Sequence, residues 1–193
     1  MKNKIILLLL CFISVLLFAC SKEESSNPLE VEPGSFKGYI GRHGYDLVND
    51  KFNERVSITH FDGKNIQFQF KSDSSPSIID GSIFEMNQLV TVNLVNPLKT
   101  SSFLFFNSYI ESKNYIKNWI TVDWFEQLGE QKTKKFYTTV KDKQSVEAEI
   151  LSVKYKELRI PSFEVKIRGY LYNIENKKDS TLIDATFITQ ASH

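Results

Sequence analysis

The sequence predicts an all-β antiparallel domain, either a closed barrel or a two-layer sandwich. Two observations predict it. From Phe36 onward the chain is cut into about nine short runs rich in β-branched and aromatic residues, bounded by Gly, Asp, Asn, Ser or Pro. Most of these runs alternate apolar and polar residues with a period of two, the mark of strands with one buried face, and helical periods are scarce. Barrel and sandwich both hide strand edges and bury one face, so the pattern is satisfied by either.

Taken in order, Phe36 to Ile40 reads as a first strand, followed by a loop at Gly41-Arg42-His43-Gly44-Tyr45. Val56 to Phe61 and Asn65 to Phe70 flank Asp62-Gly63, a strong hairpin signal because a type I′ turn needs φ > 0 at both central residues. Ile66, Phe68 and Phe70 share one face. Ser72 to Pro76 is a polar break, and Asp80-Gly81 suggests a second tight turn. Gln88 to Val95 alternates with Val90, Val92 and Leu94 inward, and Pro97 ends the run because proline cannot donate to a ladder. Phe103-Leu104-Phe105-Phe106 is continuous and reads as covered on both sides, with Tyr109 and Ile110 extending it.

Ile116 to Phe125 is a further strand, with Ile120, Val122 and Trp124 on one face and Trp119, Thr121 and Phe125 on the other. Gly129 to Lys135 reads as a charged connector and Phe136 to Val140 as a short strand. Gln144 to Tyr155 alternates and then shifts phase at Leu151, as a β-bulge would produce, although Glu147 to Leu151 also suits a helix. Phe163, Val165, Ile167, Gly169 and Leu171 alternate cleanly, as do Ile183, Ala185 and Phe187. A polar link from Asn173 to Ser180 makes them an antiparallel hairpin with one wetter face.

The front of the chain is different. Lys2 and Lys4 precede an apolar run from Ile5 to Phe18, about 14 residues, which fits a secretory signal core. A spanning helix needs about 20 apolar residues. Residues 20–35 read as a flexible tether, Ser-rich and acidic with Pro28, Pro33 and Gly34; docking of Leu29 and Val31 as an edge strand is the competing reading. Residues 36–193 form a single β domain. Removing 19 of 193 residues leaves 174, enough for one real core. The mature chain carries 22 bases, because Lys2 and Lys4 leave, against 23 acids, a net charge of −1. No basic block is left to neutralise a phosphate backbone, which argues against a nucleic-acid partner.

Cys11 lies in the apolar run and Cys20 follows Ala19, so the domain itself has no cysteine for a nucleophile, a disulfide or a thiolate metal site. His43 and His60 are two imidazoles that a metal or haem iron would need close together; they read as solvated side chains, and His193 ends the chain. No Gly-x-Ser-x-Gly elbow occurs, and Gly41-Arg42-His43-Gly44 lacks the strand–glycine–helix setting of a phosphate loop. Acids are numerous, but a glycosidase pair is a matter of spacing across a cleft. Asp123, between Val122 and Trp124, stands out and reads as an acid on the wet face. The sequence therefore assigns no catalytic residue, metal or cofactor. Trp119, Trp124, Tyr170 and Tyr172 are the candidate ligand-binding residues, because Trp and Tyr give rigid, amphipathic contact area. Cross-strand support within the sheet is the bland alternative for the tyrosines.

Leu17-Phe18-Ala19-Cys20 resembles the bacterial lipobox. The resemblance implies cleavage before Cys20, with Leu17, Phe18 and Ala19 read by the signal peptidase, and lipidation of Cys20. Two or more acyl chains hold a protein stably in a membrane, at about 0.8 kcal/mol per buried methylene. Ser21-Lys22-Glu23-Glu24 resembles the charged export signal that sends Bacteroidota lipoproteins to the outer face of the outer membrane; the periplasmic face is the alternative. The C-terminal hairpin, from Phe163 to Phe187, resembles that of small uncharacterised Bacteroidota lipoproteins, some lipocalin-like and some sandwich-like. Three function classes follow: a non-enzymatic surface binder of a glycan, a small apolar ligand or a protein; a structural, accessory or immunity-type subunit of an envelope complex; and an enzyme. A hollow apolar barrel would mark a lipocalin-like binder. A filled core with exposed aromatics would mark a subunit, and converging acids or histidines an enzyme.

Overall fold

Alternation along the chain is converted into one curled antiparallel sheet. A computed structural model describes residues 33–190, apart from 73–76, 80, 99–102, 107–116, 141–142, 144–145 and 155–159. The lipobox and export-signal residues Leu17, Phe18, Ala19, Cys20, Ser21, Lys22, Glu23 and Glu24 lie outside the described residues, as do Leu29, Val31, Tyr109, Tyr115 and His193.

The strands are β1 (Ser35–Ile40), β2 (His43–Val48), β3 (Val56–Phe61), β4 (Asn65–Lys71), β5 (Ser77–Ile79), β6 (Ser82–Val95), β7 (Phe103–Phe105), β8 (Trp119–Leu128), β9 (Gln131–Thr138), β10 (Glu147–Lys154), β11 (Ser162–Asn173) and β12 (Ser180–Ile188). Among the described residues there is no helix. The hydrogen-bonded path runs β2-β1-β12-β11-β9-β8-β6-β4-β3; β10 lies between β11 and β7, and β5 folds back on β6. Every pairing is antiparallel.

The sheet curls until its two halves face each other. Phe36 of β1 stacks on Phe70 of β4 with ring centroids 3.8 Å apart, and Phe187 of β12 meets Phe68 of β4 at 5.2 Å. Phe36, Phe68, Phe70, Phe163 and Phe187 are fully buried together with Ile40, Ile66, Leu94, Ile120, Ile167, Leu171 and Ile183. Large aromatic rings thus fill the interior from both sides. The path ends at β2 and β3, which do not share a ladder, and Asn49 bridges them. Its Nδ2 donates to the Val56 carbonyl at 2.7 Å, and its Oδ1 accepts from the Arg55 and Val56 amides, both at 2.8 Å.

The wall forks at β11. Arg168 pairs with Glu147 of β10, whereas Tyr172 pairs with Thr138 of β9. Gly169 sits at the fork with φ +150, and a Cβ there would stand 2.8 Å from the Val146 Cα. Only a residue without a side chain lets the two segments pass this closely.

Several local expectations change. His43-Gly44-Tyr45 is strand rather than loop: Gly41 and Arg42 alone make the turn, and β2 runs on to Val48. The first hairpin turns one residue later than Asp62-Gly63. Asp62 N–H donates to the Asn65 carbonyl at 3.3 Å, so Gly63 and Lys64 are central, while Asp62 Oδ1 accepts from the Lys64 and Asn65 amides. Ile79 pairs with Ser82, in keeping with a tight second turn, although Asp80 lies outside the described residues. In Phe103–Phe105 the centre alone is buried: Leu104 points in, and Phe103 and Phe105 are 47% and 58% exposed. Residues 131–135 are strand, because β9 leaves a two-residue turn and pairs with β8 from Gln131. Glu147 to Leu151 is strand, and the register shift falls between Ile150 and Ser152, where the phase change placed it.

Candidate functional site

Register decides which side chains meet at the open end of the curl. Along β8, Ile120, Val122 and Trp124 face inward, and Glu126 continues that face. Gln88 of β6 and Lys135 of β9 lie directly beside Trp124 on either side. Val122 is flanked in the same way by Val90 and Tyr137. The turn after β1 and the β11–β12 link reach the same end, since Ile40 pairs with His43 and Tyr172 with Ser180. Together they form a mouth.

A cleft of about 410 Å³ opens there, lined by His43, Trp124, Glu126, Lys135, Tyr137 and Thr181, with Gly41, Arg42, Asp179 and Ser180 at its edge. The His43 ring stands edge-on to Trp124 at 5.4 Å, and Tyr137 tilts against it at 6.1 Å. Lys135 Nζ donates to Asp179 Oδ2 at 3.0 Å, Tyr137 Oη donates to the same carboxylate at 3.2 Å, and Asn173 Nδ2 reaches it at 3.4 Å. Burial pushes the Asp179 carboxyl up, but these donors outweigh it and hold its pKa below the usual carboxylate range. Lys135 is raised by its bond to Asp179, and Tyr137 is raised mainly by burial.

Other groups at the mouth are unspent. Among the described residues, Arg42, Glu126 and the Trp124 indole N–H have no hydrogen-bond partner in the protein. Two buried polar atoms beside Trp124 are also unpaired: Gln88 Nε2, whose amide oxygen accepts from Tyr45 Oη at 2.8 Å, and Thr181 Oγ1. Buried polar atoms are nearly always paired, so an orphan here is informative.

The four sequence-predicted binding residues do not converge. Trp124 is in the mouth. Trp119 faces the opposite side of β8 and is only 2% exposed. Tyr170 and Tyr172 lie on the outer face of β11; Tyr170 is 42% exposed, and the Lys143 ammonium stands 5.4 Å from the Tyr172 ring centroid. His43 is at the mouth, whereas His60 pairs with Gln67 at the far end, roughly 17 Å away along β6 at strand rise. One ion cannot bind both. Among the described residues no group of three or more His, Cys, Asp or Glu could hold a metal ion.

Lys135, Tyr137, Asp179 and Thr181 are not singled out by the sequence, and Glu126 enters there only as one of its many acids. Tyr137 was read in a short strand and Lys135 in a connector, and nothing local signals that positions 41 and 181 meet. A second cleft of about 410 Å³ lies on the outer face over Leu89, Phe125 and Phe136. Asp123 stands in its floor between Leu89 and Phe136. No protein-family model matches the chain, and neither the curated proteins nor the solved structures give a match.

Proposed function

We propose that this chain is a lipid-anchored lipoprotein of the outer membrane, facing the cell surface, whose β domain is a non-enzymatic binding module that takes its ligand at the mouth. The resemblance of Leu17-Phe18-Ala19-Cys20 to a lipobox supports the anchor, and Ser21-Lys22-Glu23-Glu24 supports display on the surface. The single observation that carries the binding reading is the contrast between interior and mouth. Among the described residues, the rings of Phe36, Phe68, Phe70, Phe163 and Phe187 are fully buried inside the curl, while the open end keeps an aromatic floor and unspent polar groups. Ligand sites generally combine apolar walls with a few convergent polar groups. The mouth carboxylate with most partners, Asp179, is held ionised by Lys135, Asn173 and Tyr137, which suits positioning rather than proton donation.

The anchor is tested with Cys20→Ala. The variant moves from the membrane fraction to a soluble or unprocessed form, and unchanged detergent partitioning would sink the lipoprotein reading. Binding is tested by retention of the protein on its own envelope extract: Trp124→Ala loses retention, and full retention would remove the mouth from consideration. A second reading, an accessory subunit of an envelope complex, is favoured by the exposed Phe103 and Phe105 of β7 and by the apolar outer-face cleft.

A further inference from the structure

We propose that the mouth is a saccharide site for a neutral sugar ring, seated on Trp124, with the Thr181 hydroxyl as its deepest hydrogen-bonding point. This rests on the reading of the mouth as the binding end and names its ligand class.

Charge comes first. Arg42 and Lys135 are balanced by Glu126 and Asp179, and Lys135 and Asp179 already neutralise each other at 3.0 Å. A site built for an anion or a cation would show an excess of one sign. Hydrogen-bonding capacity comes second. Glu126 can only accept when ionised, and Arg42 and the indole N–H can only donate. A ligand hydroxyl does both, so a ring bearing several hydroxyls can satisfy all three groups. Trp124 supplies a flat apolar surface with a polar edge, the counterpart of a sugar ring with C–H faces and a hydroxyl rim.

Thr181 is the independent observation. It is 4% exposed, it lines the cleft, and its Oγ1 has no partner. The Gly41–Arg42 turn lies over it. A Cβ at position 41 would stand 3.0 Å from Thr181 Oγ1 and 3.5 Å from the Trp124 ring, and Gly41 has φ +62, where glycine is favoured. The residue at 41 therefore keeps the narrow space between turn, hydroxyl and indole clear. A ligand hydroxyl entering that space pairs Oγ1 with a small shift of the turn.

The test uses the full-length lipidated chain in detergent. It is titrated calorimetrically with neutral oligosaccharides (α- and β-glucan, mannan and xylan fragments) and, in parallel, with uronate-containing and sulfated oligosaccharides. Saturable binding of a neutral oligosaccharide is expected. Trp124→Ala weakens it about tenfold or more, and Thr181→Val about three- to tenfold, the loss of one hydrogen bond. Thr181→Val also raises Tm by about 2–4 °C, because it removes an unpaired buried hydroxyl without changing shape. Ile78→Ala, at an exposed position of β5, leaves binding unchanged and controls for folding. If only charged oligosaccharides bind and Trp124→Ala abolishes it, the neutral class is overturned and the mouth stands as the binding end. Binding by neither set overturns the saccharide assignment. Binding that ignores Trp124→Ala overturns the assignment and the mouth reading together.

Discussion

Asp123 shows how far a residue's chemistry depends on neighbours that are remote in sequence. Val122 and Trp124 drew attention to it, but both point to the other face of the sheet. Its real neighbours are Leu89 and Phe136 on the flanking strands, and burial raises its carboxyl pKa above the ordinary value. An acid whose folded pKa is raised binds its proton more tightly when folded. Stability is then greatest below the unfolded value and is lost as pH rises through the folded one. Asp123→Asn is expected to raise Tm at pH 7 and to lose that advantage near pH 4, measured by thermal melts across pH. An equal gain at both pH values would assign the effect to packing instead. Asp62 has the opposite sign. The amides of Lys64 and Asn65 lower its carboxyl to about 2, so its support of the β3–β4 turn is present above the ordinary carboxylate range and lost as pH falls toward 2. The wet-face placement of Asp123 was legible from the period of two, but the direction of its pKa was not, since that needs the cross-strand register.

At the scale of elements, strands with one dry and one wet face were readable, and strands that depart from that pattern were not. β4, β11 and β12 alternate as read, with Phe68, Ile167 and Ala185 inward, whereas in β6 Val90, Val92 and Leu94 are buried as read but Thr91 and Asn93 on the other face are buried too. β9 failed because Gln131 to Lys134 are exposed on both faces, so no alternation marks them; pairing with β8 alone makes them strand. β2 failed because Gly41 and Gly44 suggested a loop, although the chain turns only at Gly41 and Arg42. In β11, Gly169 occupies an inward position of a clean alternation, and nothing in that local pattern signals that Val146 crosses there. Gly169→Ala places a methyl 2.8 Å from the Val146 Cα at a backbone angle that alanine disfavours. The expected cost is about 2–4 kcal/mol, read as a lower denaturant midpoint at unchanged slope. An unchanged midpoint would mean that the Val146 segment yields freely and that the fork is not a tight crossing.

Over the whole molecule, the question is what holds a curled sheet shut when its first and last strands share no ladder. Hydrophobic burial draws the halves together through Phe36 on Phe70 and Phe187 on Phe68, but rings alone leave the backbone at the seam unpaired. Asn49 supplies the missing bonds: one side-chain amide donates to and accepts from the Arg55–Val56 backbone as a neighbouring strand would. Its own N–H donates to Gly34, which fixes the entry of the chain into the domain at the same point. Barrel and sandwich stayed equal readings of the sequence because both hide edges and bury one face, and the curled sheet is compatible with either; nothing in the local pattern around Asn49 signals its contact across the seam. Asn49→Ala removes four side-chain bonds, three to the Arg55–Val56 backbone at a partly buried seam and a longer, exposed one to Gln190 Oε1, and is expected to cost about 2–4 kcal/mol. Hydrogen exchange at Val56 is the sharper measurement. Its amide should lose protection first, while amides in the β11–β12 hairpin keep theirs, because the seam opens before the core does. Asn49→Asp retains the acceptor and loses the donor, so its exchange rate should fall between the two. If Val56 stays as protected in the alanine variant as in the parent, the rings close the sheet without the clasp.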